Sequence, residues 1–322
     1  MSSVANLFAS NPFTVKQAAE AGISRGRVRD LVKKGRVRRV LRGVYVDASV
    51  PDTTVMRARA LALVVPDGVV VCLRTAAWLW GVDVTAMGAH LAVAPVDLMG
   101  PAGSAASRRT GISGHTGQLG DDDVVFRDGV ALTTPSRTAA DLARLLRRPD
   151  ALASLDAILR LPDLTADRVA SELTRFAGYR GVVQGRELVA LADPRSESPM
   201  ESRTRLRALD AGFPVFEPQV EVFDDIGTFV ARLDLGRRED RKAVEYDGDV
   251  AHASVQQQLY DRRRRRRVER CGWGLAVVTA DLVLGRGLAF ENGIAELLGC
   301  GYHLSRHHPR YGGWDRPGWA AA

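Results

Sequence analysis

The 322-residue sequence predicts an α/β multidomain protein in three parts. These are an N-terminal helix-turn-helix with a β-hairpin, a mixed, mostly helical middle segment, and a C-terminal domain of element order αβββαβ. Three observations predict it. Capping and stop residues at Thr14, Gly22, Ser24 and Gly35 bracket two short helices before an alternating, Arg-rich stretch. Helical periodicity dominates from 50 to 195, with only brief apolar runs. After Ser198 a capped helix leads into three extended segments separated by turn-forming clusters. The implied domains are 1–48, 49–195 and 196–301, with a tail at 302–322, in keeping with roughly 100–200 residues per domain.

Residues 3–9 form a short first helix in this reading. Thr14 then caps a helix over 15–21, with Gln17 at the capping-box position and Gly22 as its stop. Ser24 caps a second helix over 25–34, ended by Gly35. In it Val28, Leu31 and Val32 have core spacing, while Arg25, Arg27, Arg29 and Lys33 fall elsewhere on the wheel. Residues 36–46 read as a hairpin bearing Arg36, Arg38, Arg39 and Arg42. Helix-turn-helix plus hairpin is a winged helix, whose second helix enters the DNA major groove while the wing reaches phosphates or the minor groove. The stretch GISRGRVRDLVKKGRVRRVLRGVYV, and Arg42-Gly43-Val44-Tyr45 within it, resembles the N-terminal winged helix of AbiEi-type antitoxins. That resemblance covers about 50 residues and implies autoregulation of a toxin–antitoxin operon, with DNA and a cognate toxin as partners.

The charge distribution agrees with a DNA-reading N-terminus. The net charge is +7, yet residues 1–46 hold ten Lys/Arg against two Asp/Glu. The basic excess therefore sits in the first seventh of the chain, as expected of a nucleic-acid-binding module on a near-neutral body. Residues 196–301 hold 16 Lys/Arg and 18 Asp/Glu, so the C-terminal domain is not a general polyanion binder.

In the middle segment, helices are predicted over 52–65, 74–80, 136–147, 150–160, 165–176 and 183–191, and strands over 68–73 and 90–94. The Gly/Ser/Ala-rich stretch 101–120 reads as a loop. Residues 134–142, TPSRTAADL, look like a segment common in proteins that also carry such N- and C-terminal modules. His90 and His115 are isolated and read as structural; Trp78 and Trp80 read as packing residues.

In the C-terminal domain Ser198 caps a helix with Pro199 at its first position and Glu201 at the capping-box position. Strands follow at 215–223, 228–235 and 242–247, then a polar helix at 254–271, a strand at 275–279 and a helix at 284–299. Glu245 and Asp247 lie at i and i+2, hence on one face of their strand. A hairpin pairing sets Asp234 opposite them. Three clustered carboxylates repel one another, and Mg²⁺ or Mn²⁺ relieves that repulsion. Such an ion activates water and stabilises charge on a scissile phosphate. The Arg run at 262–267 exceeds one helical turn and so cannot form a single face; one or two of its members are expected to touch phosphate or the acids.

These motifs resemble the PD-(D/E)XK nuclease superfamily, and more closely its very-short-patch-repair-like branch. The residues that carry the resemblance are Glu201, Arg232-Leu233-Asp234-Leu235, Val244-Glu245-Tyr246-Asp247-Gly248-Asp249, His252, Asp261, Arg264 and Gly272-Trp273. It covers about 100 residues and implies a restriction-endonuclease-like fold. Asp234 and Glu245 are its implied metal ligands, with the Tyr246 carbonyl as a third and Glu201 orienting water. One departure is that Asp247 stands where the superfamily usually has Lys; it is a further candidate ligand. Either His252, Arg264 or Lys242 is left to supply the missing positive charge.

No run of 18 apolar residues and no signal peptide is present, and Cys72, Cys271 and Cys300 form no metal-binding pair, so a cytoplasmic protein without a membrane span is expected. Two functions follow from the sequence. One is a Mg²⁺- or Mn²⁺-dependent DNA endonuclease acting in phage defence or repair. The other is an AbiEi-like antitoxin and transcriptional repressor with a degenerate nuclease fold.

Overall fold

The computed structural model describes residues 11–84, 95–100, 111–248 and 255–315. The expected helix at 3–9, the strand at 90–94, and residues His90, Asp249 and His252 lie outside the described residues. The chain divides into two compact units, Met1–Asp141 and Leu142–Ala322, so the expected 49–195 segment is shared between them.

The first unit begins with β1 (Phe13–Thr14), α1 (Val15–Glu20), α2 (Arg25–Lys33), β2 (Val37–Leu41) and β3 (Val44–Asp47). The strands form an antiparallel sheet of order β1-β3-β2. At the start of α1, Thr14 Oγ1 accepts the Gln17 N–H at 3.2 Å, and Gln17 Oε1 accepts the Thr14 N–H at 2.8 Å. At α2, Ser24 Oγ accepts the Arg27 N–H at 3.2 Å. Phe13, Ala18, Val28 and Val37 form the core, with Ile23, Leu31 and Tyr45 against it. Val32, expected in this core, is instead 36% exposed, because only the Val28–Leu31 edge of α2 meets the sheet.

α3 (Thr54–Ala62), β4 (Val70–Val71), α4 (Leu73–Leu79), β5 (Val96–Gly100), β6 (Ile112–Thr116), β7 (Val124–Arg127) and β8 (Val130–Thr133) follow. Their five strands form a mixed sheet of order β6-β5-β4-β8-β7. This sheet is a correction to the sequence reading, which placed a loop over residues 112–116 and no strands over 124–133. β6 pairs in parallel with β5 despite its polar sequence, Ile-Ser-Gly-His-Thr. The wing's Leu41 and Val44 belong to the same apolar cluster as Leu61, Val71, Leu98 and Leu132.

α5 (Pro135–Leu145) opens within the TPSRTAADL segment and gives that segment a physical role. Arg137 is 2% exposed. Its Nε donates to Asp141 Oδ2 and its Nη1 to Asp123 Oδ2, both at 2.8 Å, and Nη1 also reaches the Gln118 carbonyl at 3.1 Å. A buried guanidinium is retained only when paired in this way.

The second unit contains α6 (Arg148–Ile158), α7 (Ala166–Thr174), α8 (Val182–Leu191) and α9 (Pro199–Asp210). Next come β9 (Glu217–Phe223), β10 (Phe229–Arg237), β11 (Lys242–Tyr246), α10 (Val255–Arg270), β12 (Gly274–Val278), α11 (Ala280–Leu284) and α12 (Ala289–Leu298). From α9 to β12 the elements follow in the order αβββαβ. β9, β10 and β11 are an antiparallel meander, and β12 joins in parallel to β11. Val220, Val222, Leu233, Ala243, Val268 and Trp273 fill the sheet's core. The helix expected at 284–299 is α12, which starts only at Ala289; the short α11 before it was not expected.

Facing residues of α6 and α9 are joined by buried ion pairs, none of which the sequence reading foresaw. Arg203 meets Asp150 at 2.9 Å, Arg205 meets Asp156 at 2.7 Å, and Arg148 meets Asp210 at 2.8 Å. Arg207, fully buried, donates to both Glu291 oxygens and to the carbonyls of Leu282, Val283, Gly285 and Gly287. His308 in the C-terminal tail is buried, with its Nε2 2.7 Å from Glu291 Oε1. Trp314 Nε1 donates to Asp210 Oδ2 at 3.0 Å.

Candidate functional site

α2 and the wing carry one basic surface. Arg25, Arg27, Arg29, Lys33, Arg36, Arg39 and Arg42 are all exposed, as is Lys34 at the α2 C-cap. None forms an ion pair among the described residues. Ser24 caps α2 immediately before Arg25; on the wheel Arg25, Arg29 and Lys33 share one flank of the solvent side and Arg27 lies on the other, with Val28 buried between the flanks. Arg42 is positioned by Gly111, which adopts φ +94° and would bring a Cβ within 2.7 Å of the Arg42 Cδ. Arg38 differs from its neighbours. It is half-buried and its Nη2 donates to the Val50 carbonyl at 3.0 Å, so its head is occupied in holding the turn that follows β3.

The carboxylates form a second constellation. Leu235 pairs with Val244 across β10 and β11, and one further step of that register sets Asp234 opposite Glu245. Asp234 Oδ2 accepts the Tyr246 N–H at 2.9 Å. Burial pushes the Asp234 carboxyl up to about 6; the Tyr246 bond opposes this, and the charges of Glu201 and Glu245 add to it. Glu201 is buried and already engaged, its Oε2 accepting the Glu197 N–H at 2.9 Å and Gln219 Nε2 at 2.7 Å. Gln219 was not singled out by the sequence. Its positive φ of 56° on β9 marks a constrained backbone at this site.

Positive charge arrives from α10. Arg264 Nη2 lies 2.7 Å from Glu245 Oε1 and donates to the Arg232 carbonyl at 2.7 Å. The first contact is an ion pair, in which Glu245 Oε1 has no aligned hydrogen-bond donor. Arg265 Nη2 meets Asp247 Oδ2 at 3.2 Å. Lys242 stands three residues before Glu245 on β11, about 10 Å away along the strand. Of the described residues considered for the missing lysine's charge, Arg264 is therefore the one at the acids, joined by Arg265.

The oxygen donors here have the chemistry of a hard-cation site. Their placement does not fit one as it stands. Among the described residues no three His, Cys, Asp or Glu side chains are grouped so as to hold a metal ion, and Arg264 occupies the cationic position at Glu245. Elsewhere, His115 Nε2 lies 3.0 Å from Asp97 Oδ1 and 3.3 Å from Ser113 Oγ. Both partners use one ring nitrogen, so the trio cannot relay a proton from one side of the ring to the other.

Residues 2–46 match the family described as "Transcriptional regulator, AbiEi antitoxin", and residues 69–193 match the "AbiEi antitoxin C-terminal domain". Two uncharacterized proteins of Mycobacterium tuberculosis, MT2308 of strain CDC 1551 / Oshkosh and Rv2248 of strain ATCC 25618 / H37Rv, are each 34% identical to the chain over 253 residues. The match covers 78% of this chain and 88% of each relative. The chain belongs to the family of these mycobacterial proteins and carries AbiEi antitoxin domains. A solved structure, the RV2827C protein from Mycobacterium tuberculosis, is 14% identical with a TM-score of 0.33, over 68% of this chain and 86% of that one. The antitoxin assignment gives a family identity to the middle of the chain, which the sequence reading had left without a role. Among the described residues no helix is long and apolar enough to cross a membrane.

Proposed function

We propose that the chain is a DNA-binding transcriptional regulator of the antitoxin type. It acts in the cytoplasm, with its own promoter DNA and a cognate toxin as partners. The observation that carries this reading is the exposed basic surface shared by α2 and the wing, of whose cations only Arg36 has a nearby carboxylate, Asp47, among the described residues. The two AbiEi antitoxin matches support it. In this reading α2 enters the major groove, Arg25, Arg27 and Arg29 approach bases and phosphates, and Arg39 and Arg42 hold the flanking backbone. Footprinting on the DNA upstream of its own reading frame tests it. Protection at a discrete site, abolished by Arg27→Ala/Arg29→Ala, is the expected result. Binding that is uniform along the fragment and indifferent to those substitutions would overturn it.

The second reading is a metal-dependent endonuclease using Asp234, Glu245 and Asp247, with Glu201 and His252 as further catalytic candidates and Mg²⁺ or Mn²⁺ as cofactor. It is favoured by one observation, the raised Asp234 carboxyl between Glu201 and Glu245. Arg264 and Arg265 weigh against it by already compensating Glu245 and Asp247. Plasmid nicking with Mn²⁺ that disappears in Asp234→Ala/Glu245→Ala protein would favour this reading; nicking that persists would place the activity elsewhere.

A further inference from the structure

The outer face of α10 is the strongest unassigned charge feature of the molecule. Six consecutive arginines cannot share one face, yet the structure sorts them in a way the sequence did not reveal. Val268 is fully buried, and Arg264 and Arg265, on either side of it on the helical wheel, turn inward to Glu245 and Asp247. Arg262, Arg263, Arg266, Arg267 and Arg270 are all exposed. At about 100° per residue these five lie within an arc of roughly 140°, centred opposite the buried side. None of them forms an ion pair or a hydrogen bond among the described residues. Leu259 and Tyr260, 51% and 65% exposed, extend the same face toward the helix start.

Like charges at i,i+4 spacing, as in Arg262–Arg266–Arg270, destabilise a helix by a few tenths of a kcal/mol per pair. A face built this way on a domain with a slight acidic excess therefore carries a standing cost. A polyanion offsets that cost, and guanidinium groups suit phosphate because they present paired donors and keep their charge. We infer that the outer face of α10 is a second nucleic-acid contact that grips the phosphate backbone of duplex DNA without reading sequence. It is separate from the carboxylate cluster, which faces the other side of the helix, and from the winged helix. The inference deepens the DNA-binding reading and rests on it for the choice of duplex DNA over other polyanions.

The test uses full-length protein with all five arginines changed to Gln, which keeps helix propensity. A second variant carries only Arg262→Gln/Arg266→Gln/Arg270→Gln, and a third carries Arg25→Gln/Arg27→Gln/Arg29→Gln in α2. Thermal melting checks folding. Fluorescence anisotropy from 50 to 200 mM KCl measures binding to a 30-bp mixed-sequence duplex, a single-stranded RNA of equal length and poly-glutamate. The α10 variants are expected to weaken duplex binding and to lower the log–log salt slope by about 0.9 for each phosphate no longer neutralised. An unchanged slope on duplex DNA in both α10 variants overturns the inference. So does a weakening confined to RNA or to poly-glutamate. If the α2 variant alone abolishes duplex binding, the regulator reading stands and this one falls; if the α10 variants alone abolish it, the α10 contact stands on the duplex binding measured directly and the α2 assignment falls.

Discussion

Asp234 carries the most informative single charge in the second unit. Its carboxyl is raised to about 6, first by burial and then by Glu201 and Glu245. An acid whose pKa is higher folded than unfolded costs stability once it ionises in the fold. That cost is absent below pH 4, grows through the window from 4 to 6, and is full above it. Asp234→Asn retains an acceptor for the Tyr246 N–H and removes the charge. Urea unfolding is expected to find the variant more stable than the parent at pH 8, by about 1–3 kcal/mol, with the gap closing by pH 4. A gap independent of pH would mean that the carboxyl is not electrostatically strained. The sequence revealed that Asp234, Glu245 and Asp247 would share a sheet region, since strand alternation and hairpin pairing dictate it. It named Arg264 among three candidates for the missing charge and expected one or two of the arginine run at phosphate or the acids, but it could not single out Arg264 and Arg265, because which turn of a polyarginine helix faces inward depends on Val268 finding the core.

At the scale of elements, the wing separates into two kinds of arginine. Arg39 and Arg42 are exposed, whereas Arg38 donates to the Val50 carbonyl. Arg39→Gln and Arg42→Gln are each expected to reduce the salt dependence of DNA binding by about 0.9 in log–log slope. Arg38→Gln is expected instead to lower the melting temperature and leave that slope unchanged. The α6–α9 contact gives a further expectation. Arg205→Met leaves Asp156 buried and uncompensated, which costs about 3–5 kcal/mol in urea unfolding. Adding Asp156→Asn should recover part of it, since the amide still accepts the Asp193 N–H now held by Asp156. The middle helices were legible because caps and periodicity are local: all six begin within two residues of their expected starts. The five-stranded sheet was not, because its strands are two to five residues long and take their stability from non-local pairing. One signal was there to find. Asp128-Gly129 between two Val-containing runs is a two-residue hairpin turn, with φ of 49° and 84°.

Across the whole molecule, the division of charge read from the sequence becomes more specific. The N-terminal surplus is a solvent-facing surface, while the slightly acidic C-terminal region hides acids among buried arginines and shows arginines on α10. The last described segment is also structural rather than appended. His308 and Trp314 close onto Glu291 and Asp210. Deleting residues 302–322 is expected to expose Glu291, lower the unfolding midpoint of the second unit and speed its proteolysis. Equal protease resistance in the truncated chain would show that His308 and Trp314 are dispensable.

Arg207 has a consequence in time. The residue sits 84 positions ahead of Glu291, the carboxylate that neutralises it. At 5–20 residues per second a ribosome leaves that guanidinium without its counter-charge for roughly 4–17 s. The winged helix, and the apolar cluster through Leu132 into which its wing packs, precede Arg207 in the chain and have emerged before. A nascent chain can thus present a finished DNA reader while the rest of its second unit still awaits the segment that locks it.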